Sequence, residues 1–252
     1  VLLIGLGMQT AWRTQEAGPL FKVLKIPALI AVVLGIAIPI FIYGSASVLL
    51  VVGIAAAVWI MAASLIQPIR SWRRAKGTTG ITRGALGMSI AHFGVGMFVL
   101  GVAIVSAFSV EADRSLIVGD KVEVAGYEFE LRNLRNVQGP NYQAIEGEVD
   151  VTRNGTFVTQ LRPQKRTYLV QQSPMTEAGI DAGWNRDIFV ALGDPLGNNA
   201  WSVRMQYKPM IRFIWLGAFV MAIGGMVAAS DRRYRVNAKA KAPSTVPTGE
   251  PA

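Results

Sequence analysis

A single histidine, His92, lies in the run GALGMSIAHFGVGMFVLGVAIVSAFSV, residues 84–110, where no other side chain can carry a charge. An ionisable ring in hydrocarbon is costly and marks a functional-site hypothesis by default. Imidazole is a common metal ligand and an axial ligand of haem iron. Two other readings stand beside this one: a histidine hydrogen-bonded to a neighbouring helix, and a proton relay. Helical spacing puts Met88, Gly96, Val99 and Ala103 on the face of His92. Gly96 is expected to leave space for a flat macrocycle. Met88 sulfur is a second conceivable iron ligand, although packing or lipid contact accounts for it more simply. Gly87, Ala91, Gly94 and Gly101 form a stripe suited to close helix packing.

Other reactive constellations are sparse. Glu177 and Asp181 stand four residues apart in SPMTEAGID, which predicts a short helix with Ser173 as N-cap and Pro174 at the first helical position. A carboxylate pair on one face can do acid–base work. No nucleophile stands nearby, so a salt bridge, with Arg186 as partner, is the favoured reading. Asp113, Asp187 and Asp194 read as turn or surface residues. Trp201, Arg204, Tyr207 and Lys208 precede the last apolar run, as a partner surface at the membrane interface or as a helix anchor. The chain has no cysteine and one histidine, which excludes disulfides, thiolate metal sites and a histidine cluster for zinc.

The elements that must position His92 are membrane spans. The chain of 252 residues is 52% hydrophobic and 16% charged, with a mean hydropathy of +0.37, which is membrane-class composition. The net charge of +9 is unevenly placed. Residues 110–208 carry 11 Lys/Arg against 13 Asp/Glu, whereas 1–25, 69–84 and 231–252 together carry 13 against 3. Basic residues beside apolar runs are the positive-inside signature; a nucleic-acid footprint would be a basic stripe on a folded domain, so no nucleic-acid partner is expected.

Residues 26–69 hold no charge and are about twice the length of one span. They predict a hairpin over 26–67: helices at 26–43 and 46–67, turned at Tyr43-Gly44-Ser45, with Pro39 and Gly35 as kink points and Pro68 as the stop. Residues 1–8 read as the tail of an upstream helix, and the chain therefore as the C-terminal fragment of a larger protein. Residues 9–25 form a cytoplasmic linker and 68–84 a basic cytoplasmic loop. A span at 85–108 places His92 roughly 10–12 Å from its cytoplasmic end. The last helix covers 209–230, with Arg212 snorkelling and Trp215 at the interface. The basic runs RSWRR and DRRYR act as topology signals, with anionic lipid headgroups or a haem propionate as conceivable ligands. Residues 231–252 form a cytoplasmic, partly disordered tail.

Residues 109–208 read as β. YEFELR and EGEVDVT alternate with a two-residue period, and Asn154-Gly155 joins the second to TFVTQL as a hairpin. RTYLVQ, RDIFVAL and AWSVRMQY are further strands, with GDPLGNN turning between the last two. The expected fold is an α-helical integral membrane protein with an inserted all-β periplasmic domain, a small sandwich or open barrel.

The segments MTEAGID, RDIFVALGD and WSVRMQYKPMIRFIWLGAFVMAIGGMVAASDRRYR, with GYEFELRNLRNVQGPNY, QKRTYLVQQSPMTEAGID and AHFGVGMFVLG, resemble the C-terminal part of the CcmF family of cytochrome c-type biogenesis proteins, haem lyase subunits. The resemblance covers the chain to about residue 236. It implies a multi-pass protein of the bacterial inner membrane, a haem b between two transmembrane histidines, and a second haem delivered by CcmE to a tryptophan-rich outer segment flanked by two periplasmic histidines. Work with the apocytochrome chaperone CcmH then joins haem to apocytochrome c, the haem b helping to reduce the incoming haem. Of the functional positions only one transfers: His92 matches the second transmembrane haem ligand. The other histidines and the tryptophan-rich segment have no counterpart here, so the chain is expected to be part of a lyase complex without its main haem-handling segment. At the amino end Gly7 is followed by Met8 where the family usually has Gly-Pro. The alternatives are a membrane-anchored periplasmic interaction module and a proton-coupled transporter subunit. Membrane lipid is a further expected partner.

Overall fold

The uncharged run 26–69 does fold back on itself in the computed structural model, which describes residues 2–10, 17–44, 47–75 and 81–231. Helix α1 (Leu2–Gly7) is followed by α2 (Ala17–Tyr43) and α3 (Val48–Ser64). Gly44 ends α2 in the left-handed region, φ +60°, and its N–H donates to the Ile40 carbonyl at 3.2 Å, a C-terminal glycine signal. Ser45, in the expected turn, lies outside the described residues, as do 11–16 of the linker, 76–80 of the basic loop and 232–252 of the tail.

Two helix limits differ from expectation by more than two residues. Helix α2 begins at Ala17 rather than near residue 26, taking Lys22 and Lys25 into the helix. Pro68 does not stop the hairpin. The break falls at Leu65, and α4 (Ile66–Ala75) begins at once. Pro68 is the third residue of α4, within the first turn, where a helix has no intrahelical acceptor for an N–H and proline costs little. Residues 70–75 of the expected loop are therefore helical.

Helices α5 (Arg83–Phe108) and α6 (Ile211–Ala229) flank the β-domain in sequence. By length and composition, Gly18–Tyr43, Val48–Arg73, Arg83–Phe108 and Ile211–Ala229 are each able to cross a membrane. Their large apolar side chains point outward, Phe41 at 85% and Leu49 at 80% exposure, as lipid-facing surface requires.

Two compact units divide the chain: residues 101–214, and the helices on either side of that segment. Within 101–214 all strand pairs are antiparallel. One sheet runs β1 (Val110–Leu116), β10 (Ala200–Pro209), β9 (Arg186–Gly197), β8 (Gly179–Ala182). The other runs β2 (Lys121–Val124), β3 (Tyr127–Gln138), β4 (Tyr142–Arg153), β6 (Gln164–Tyr168), β7 (Pro174–Glu177), with β5 (Thr156–Leu161) on the far part of β4. Phe129, Leu131, Val151, Ile188, Val190, Leu192, Val203 and Met205 are fully buried between them. This is a two-sheet sandwich, the inward-facing alternation of both sheets filling one core.

The Asn154-Gly155 hairpin forms with both residues at positive φ, 51° and 74°, as a type I′ turn requires. SPMTEAGID is not a helix. Its residues form β7 and β8, on the edges of opposite sheets. Local helix signals lose to two open strand edges: Met175 pairs with Arg166 of β6, and Ile180 with Phe189 of β9. RTYLVQ yields a strand only as far as Tyr168; the chain then turns, with Gln172 N–H donating to the Tyr168 carbonyl. GDPLGNN is mostly strand, and the turn is confined to Asn198-Asn199, both at positive φ. Strands β1 and β2 had no sequence-level counterpart.

Candidate functional site

His92 lies on α5, partly buried, and its Nδ1 is 2.8 Å from the carbonyl oxygen of Met88, one turn earlier. A carbonyl only accepts, so Nδ1 carries the proton and donates. In the neutral ring this leaves Nε2 as the unprotonated nitrogen, the one able to bind a metal. Histidine ligands characteristically have the second ring nitrogen fixed by such a bond, which sets tautomer and orientation. The partner is the helix's own backbone rather than a neighbouring helix.

Two seams hold α5. Toward α6 the small-residue stripe meets a second one. A Cβ on Gly87 would lie 2.3 Å from the Ala228 nitrogen, on Gly94 2.7 Å from the Gly217 carbonyl, and on Gly224 2.3 Å from the Ala91 nitrogen. Backbones this close need glycine, as the stripe predicts. Toward α3, a Cβ on Gly96 would lie 2.3 Å from Met61 Cγ and 3.0 Å from the Ala57 carbonyl. The space expected above His92 for a macrocycle is therefore filled by α3, and Gly96 serves helix approach. At about 100° per residue, His92 sits roughly 140° round α5 from the α6 seam and about 40° from Gly96. Met88 lies beside it.

A buried carboxylate fixes the start of α5. Asp231, 6% exposed and just beyond α6, accepts from the Gly84 N–H at 2.8 Å. This satisfies one of the donors a helix N-terminus leaves open and suits its dipole. Asp231 lay unremarked within the basic DRRYR run.

The other sequence candidates are dispersed. Glu177 and Asp181 belong to different sheets and form no acid–base pair. Glu177 meets Arg166 at 3.3 Å, and Asp181 pairs with Arg186, the expected salt-bridge partner. Asp113 is an exposed strand residue bonded to Arg204 at 2.8 Å; Asp187 meets Arg212 at 3.4 Å and Asp194 meets Lys165 at 2.8 Å. The Arg204 guanidinium hydrogen-bonded to Asp113 holds that carboxyl below the usual range. Trp201 does not join Tyr207 and Lys208 near α6. Pro209 lies eight extended steps beyond Trp201, about 26 Å along β10.

Sequence reasoning missed Glu146. It is 5% exposed, accepts from Arg135 Nε at 2.9 Å and pairs with Gln164. Burial alone would raise its pKa. The bonds from Arg135 and Gln164 outweigh that and hold it below the carboxylate range. Among the described residues no group of three or more His, Asp or Glu is gathered to hold a metal ion.

Comparison with known proteins places this architecture. Residues 107–209 match the family described as "CcmF C-terminal beta-sandwich". The cytochrome c-type biogenesis protein CcmF of Pseudomonas fluorescens is 39% identical over 248 residues, 96% of this chain and 37% of the relative. That of Escherichia coli K12 is 36% identical over 247 residues, 97% of this chain and 38% of the relative. A solved structure, "Cytochrome c Heme Lyase CcmF", superposes with a TM-score of 0.74 at 18% identity, covering 91% of this chain and 38% of that one; it shows the shared fold. The chain thus spans under two fifths of the length of these relatives. It is a multi-pass membrane protein with an inserted β-sandwich, and it belongs to the CcmF family of cytochrome c-type biogenesis proteins.

Proposed function

We propose that this chain supplies one axial ligand, His92 Nε2, to a haem b held among the membrane spans of a CcmF-type haem lyase, in the bacterial inner membrane with residues 109–208 in the periplasm. The observation that carries the reading is the Nδ1–H donated to Met88 at 2.8 Å, which leaves Nε2 as the acceptor nitrogen. The donor side fits haem iron: an imidazole whose Nδ1–H is held by the helix backbone, on a helix wedged between two seams. The sequence has one histidine, and a second histidine ligand, if the haem takes one, would come from outside these 252 residues. Bound haem would supply a one-electron redox centre. The residues of this chain orient the ring through Met88, hold α5 against α6 through Gly87, Gly94 and Gly224, and fix its start through Asp231. In the assembly the chain works with a CcmH-type chaperone and haem-carrying CcmE in joining haem to apocytochrome c.

The test is the haem spectrum of the purified full-length protein. His92→Ala is expected to lose the bound haem or shift its potential, and His92→Gly with added imidazole to recover it. An unchanged spectrum and midpoint potential in His92→Ala would remove the ligand role.

A second role for the β-sandwich, as an interaction module, is favoured by two clefts of about 450 and 760 Å³ that share Trp201. A photo-crosslinker replacing Trp201 should capture a CcmH-type partner; capture from the Arg132 position instead would move the contact to the flank of the sheet.

A further inference from the structure

The end of the β-sandwich from which α5 and α6 depart is built unlike the rest of the domain. Strand β1 starts two residues after α5 ends, and α6 starts two residues after β10 ends. Val110 pairs with Tyr207, so both junctions lie side by side. Tyr127 stacks on Tyr207 with ring centroids 5.8 Å apart, which brings the start of β3 and the end of β4 to the same end. Arg153, the last residue of β4, lies over the Tyr127 ring at 4.9 Å and donates to its hydroxyl at 3.3 Å. Arg186 reaches the same ring from β9, at 5.7 Å. The β8–β9 turn carries Trp184, 70% exposed, whose ring meets Phe213 of α6 edge-on at 6.0 Å.

Charge at this end is unbalanced. Arg186 is held by Asp181 and Arg212 by Asp187. Glu128, next along β3, is taken by Lys121. Arg153 and Lys208 have no carboxylate within salt-bridge distance among the described residues; Lys208 lies 5.8 Å from the Phe189 ring. Elsewhere on the domain most exposed cations are matched, as Arg132–Asp150, Arg135–Glu146 and Arg204–Asp113 are.

We infer that this end is a membrane-seated foot in which Trp184 enters the headgroup region and Arg153 and Lys208 each bind headgroup phosphate of anionic phospholipids. Covalent continuity with two spanning helices puts the foot at bilayer level. An exposed tryptophan beside the first turn of a span is what the interface selects, and unpaired basic residues there attract anionic lipid. The Tyr127 ring under the guanidinium of Arg153 fixes its direction without neutralising it. The foot takes no lipid-binding residue from the helices that hold His92 and does not depend on haem.

The test reconstitutes the full chain in nanodiscs of equal phosphatidylcholine and phosphatidylglycerol and measures retained lipid by native mass spectrometry. Wild type should retain phosphatidylglycerol preferentially. Arg153→Gln with Lys208→Gln should lower that preference about thirtyfold, while Arg114→Gln with Arg162→Gln, an equal charge loss at exposed sites elsewhere on the domain, should leave it unchanged. Independently, lipid brominated near the headgroup should quench a tryptophan signal present in wild type and absent from Trp184→Phe. Equal preference in both double variants, or no quenching attributable to Trp184, would overturn the foot and leave this end facing water or protein.

Discussion

Replacing Gly224 by alanine tests the seam that holds α5 and with it His92. A Cβ there would stand 2.3 Å from the Ala91 nitrogen, 2.6 Å from the Gly87 carbonyl and 2.7 Å from the Ala91 Cα. All three atoms are backbone, so no rotamer change relieves them, and α6 must move off α5 by about 1 Å, an overpacking costing ~1–3 kcal/mol. Two sibling variants calibrate the value. Gly225 has nothing within 4 Å of its added Cβ. Gly96 meets Met61 Cγ at 2.3 Å, a flexible side chain that can swing away, with backbone no nearer than 3.0 Å. Each variant gains the same helix propensity, up to ~1 kcal/mol, so differences among them report contacts. Thermal unfolding in detergent should place Gly224→Ala lowest, roughly 4–8 °C below Gly225→Ala for ~2 kcal/mol. Gly96→Ala should fall between. Equal melting of Gly224→Ala and Gly225→Ala would refute the seam, and Gly96→Ala melting lowest would mean that α3, not α6, fixes α5.

Asp231→Ala removes the acceptor of the Gly84 N–H and should cost ~1 kcal/mol; hydrogen exchange at residues 83–86 should quicken, and unchanged protection would show that the cap carries nothing. Glu146 has a folded pKa held below its unfolded value, so its contribution to stability is present above the ordinary carboxylate range and is lost as pH falls through the lowered value. Glu146→Gln should therefore narrow its gap to wild type on acidification, and a gap that stays constant from neutral pH to below pH ~4 would contradict the assigned pairing with Arg135. Gly155→Ala places a side chain at φ +74° with nothing within 4 Å, so the expected loss, ~1–2 kcal/mol, is backbone strain alone; denaturant unfolding measures it, and Asn154→Gly should be near neutral.

The membrane helices were legible because apolar runs between basic segments mark spans, and the strands with strict alternation because one face of each is buried. What failed has local causes. SPMTEAGID carries a helix start, but Gly179 must approach Arg162 N within 3.0 Å of its absent Cβ, and the neighbouring edges of β6 and β9 claim its backbone. Pro68 reads as a stop on composition, yet a proline in a first helical turn leaves no donor unpaired. Strand β1, VEADRSL, shows one buried residue in seven, so hydrophobic period had nothing to detect. Gly96 was read as space, and only the path of α3 reveals that Met61 fills it. His92 lies on α5, within a run whose composition marks a span, whereas the role of its two nitrogens depends on a hydrogen bond that no spacing rule specifies.

That hydrogen bond also bears on the simplest alternative, a histidine that merely packs. A packing histidine in hydrocarbon should have both ring nitrogens satisfied, since an unpaired polar atom there costs a few kcal/mol. Nδ1 is satisfied by its own helix, so α5 needs no neighbour to accommodate the ring. Nε2 meets no hydrogen-bond partner among the described residues, and no buried side-chain nitrogen or oxygen among them is left unpaired, which places Nε2 at an accessible surface of the helix. A proton relay needs a second titratable group within reach. The carboxylate at the foot of α5 is Asp231, bonded to Gly84, eight residues and about 12 Å of helix below His92. An accessible lone pair on a ring of fixed tautomer, with no relay partner in reach among the described residues, is the state in which an external metal centre gains most from binding.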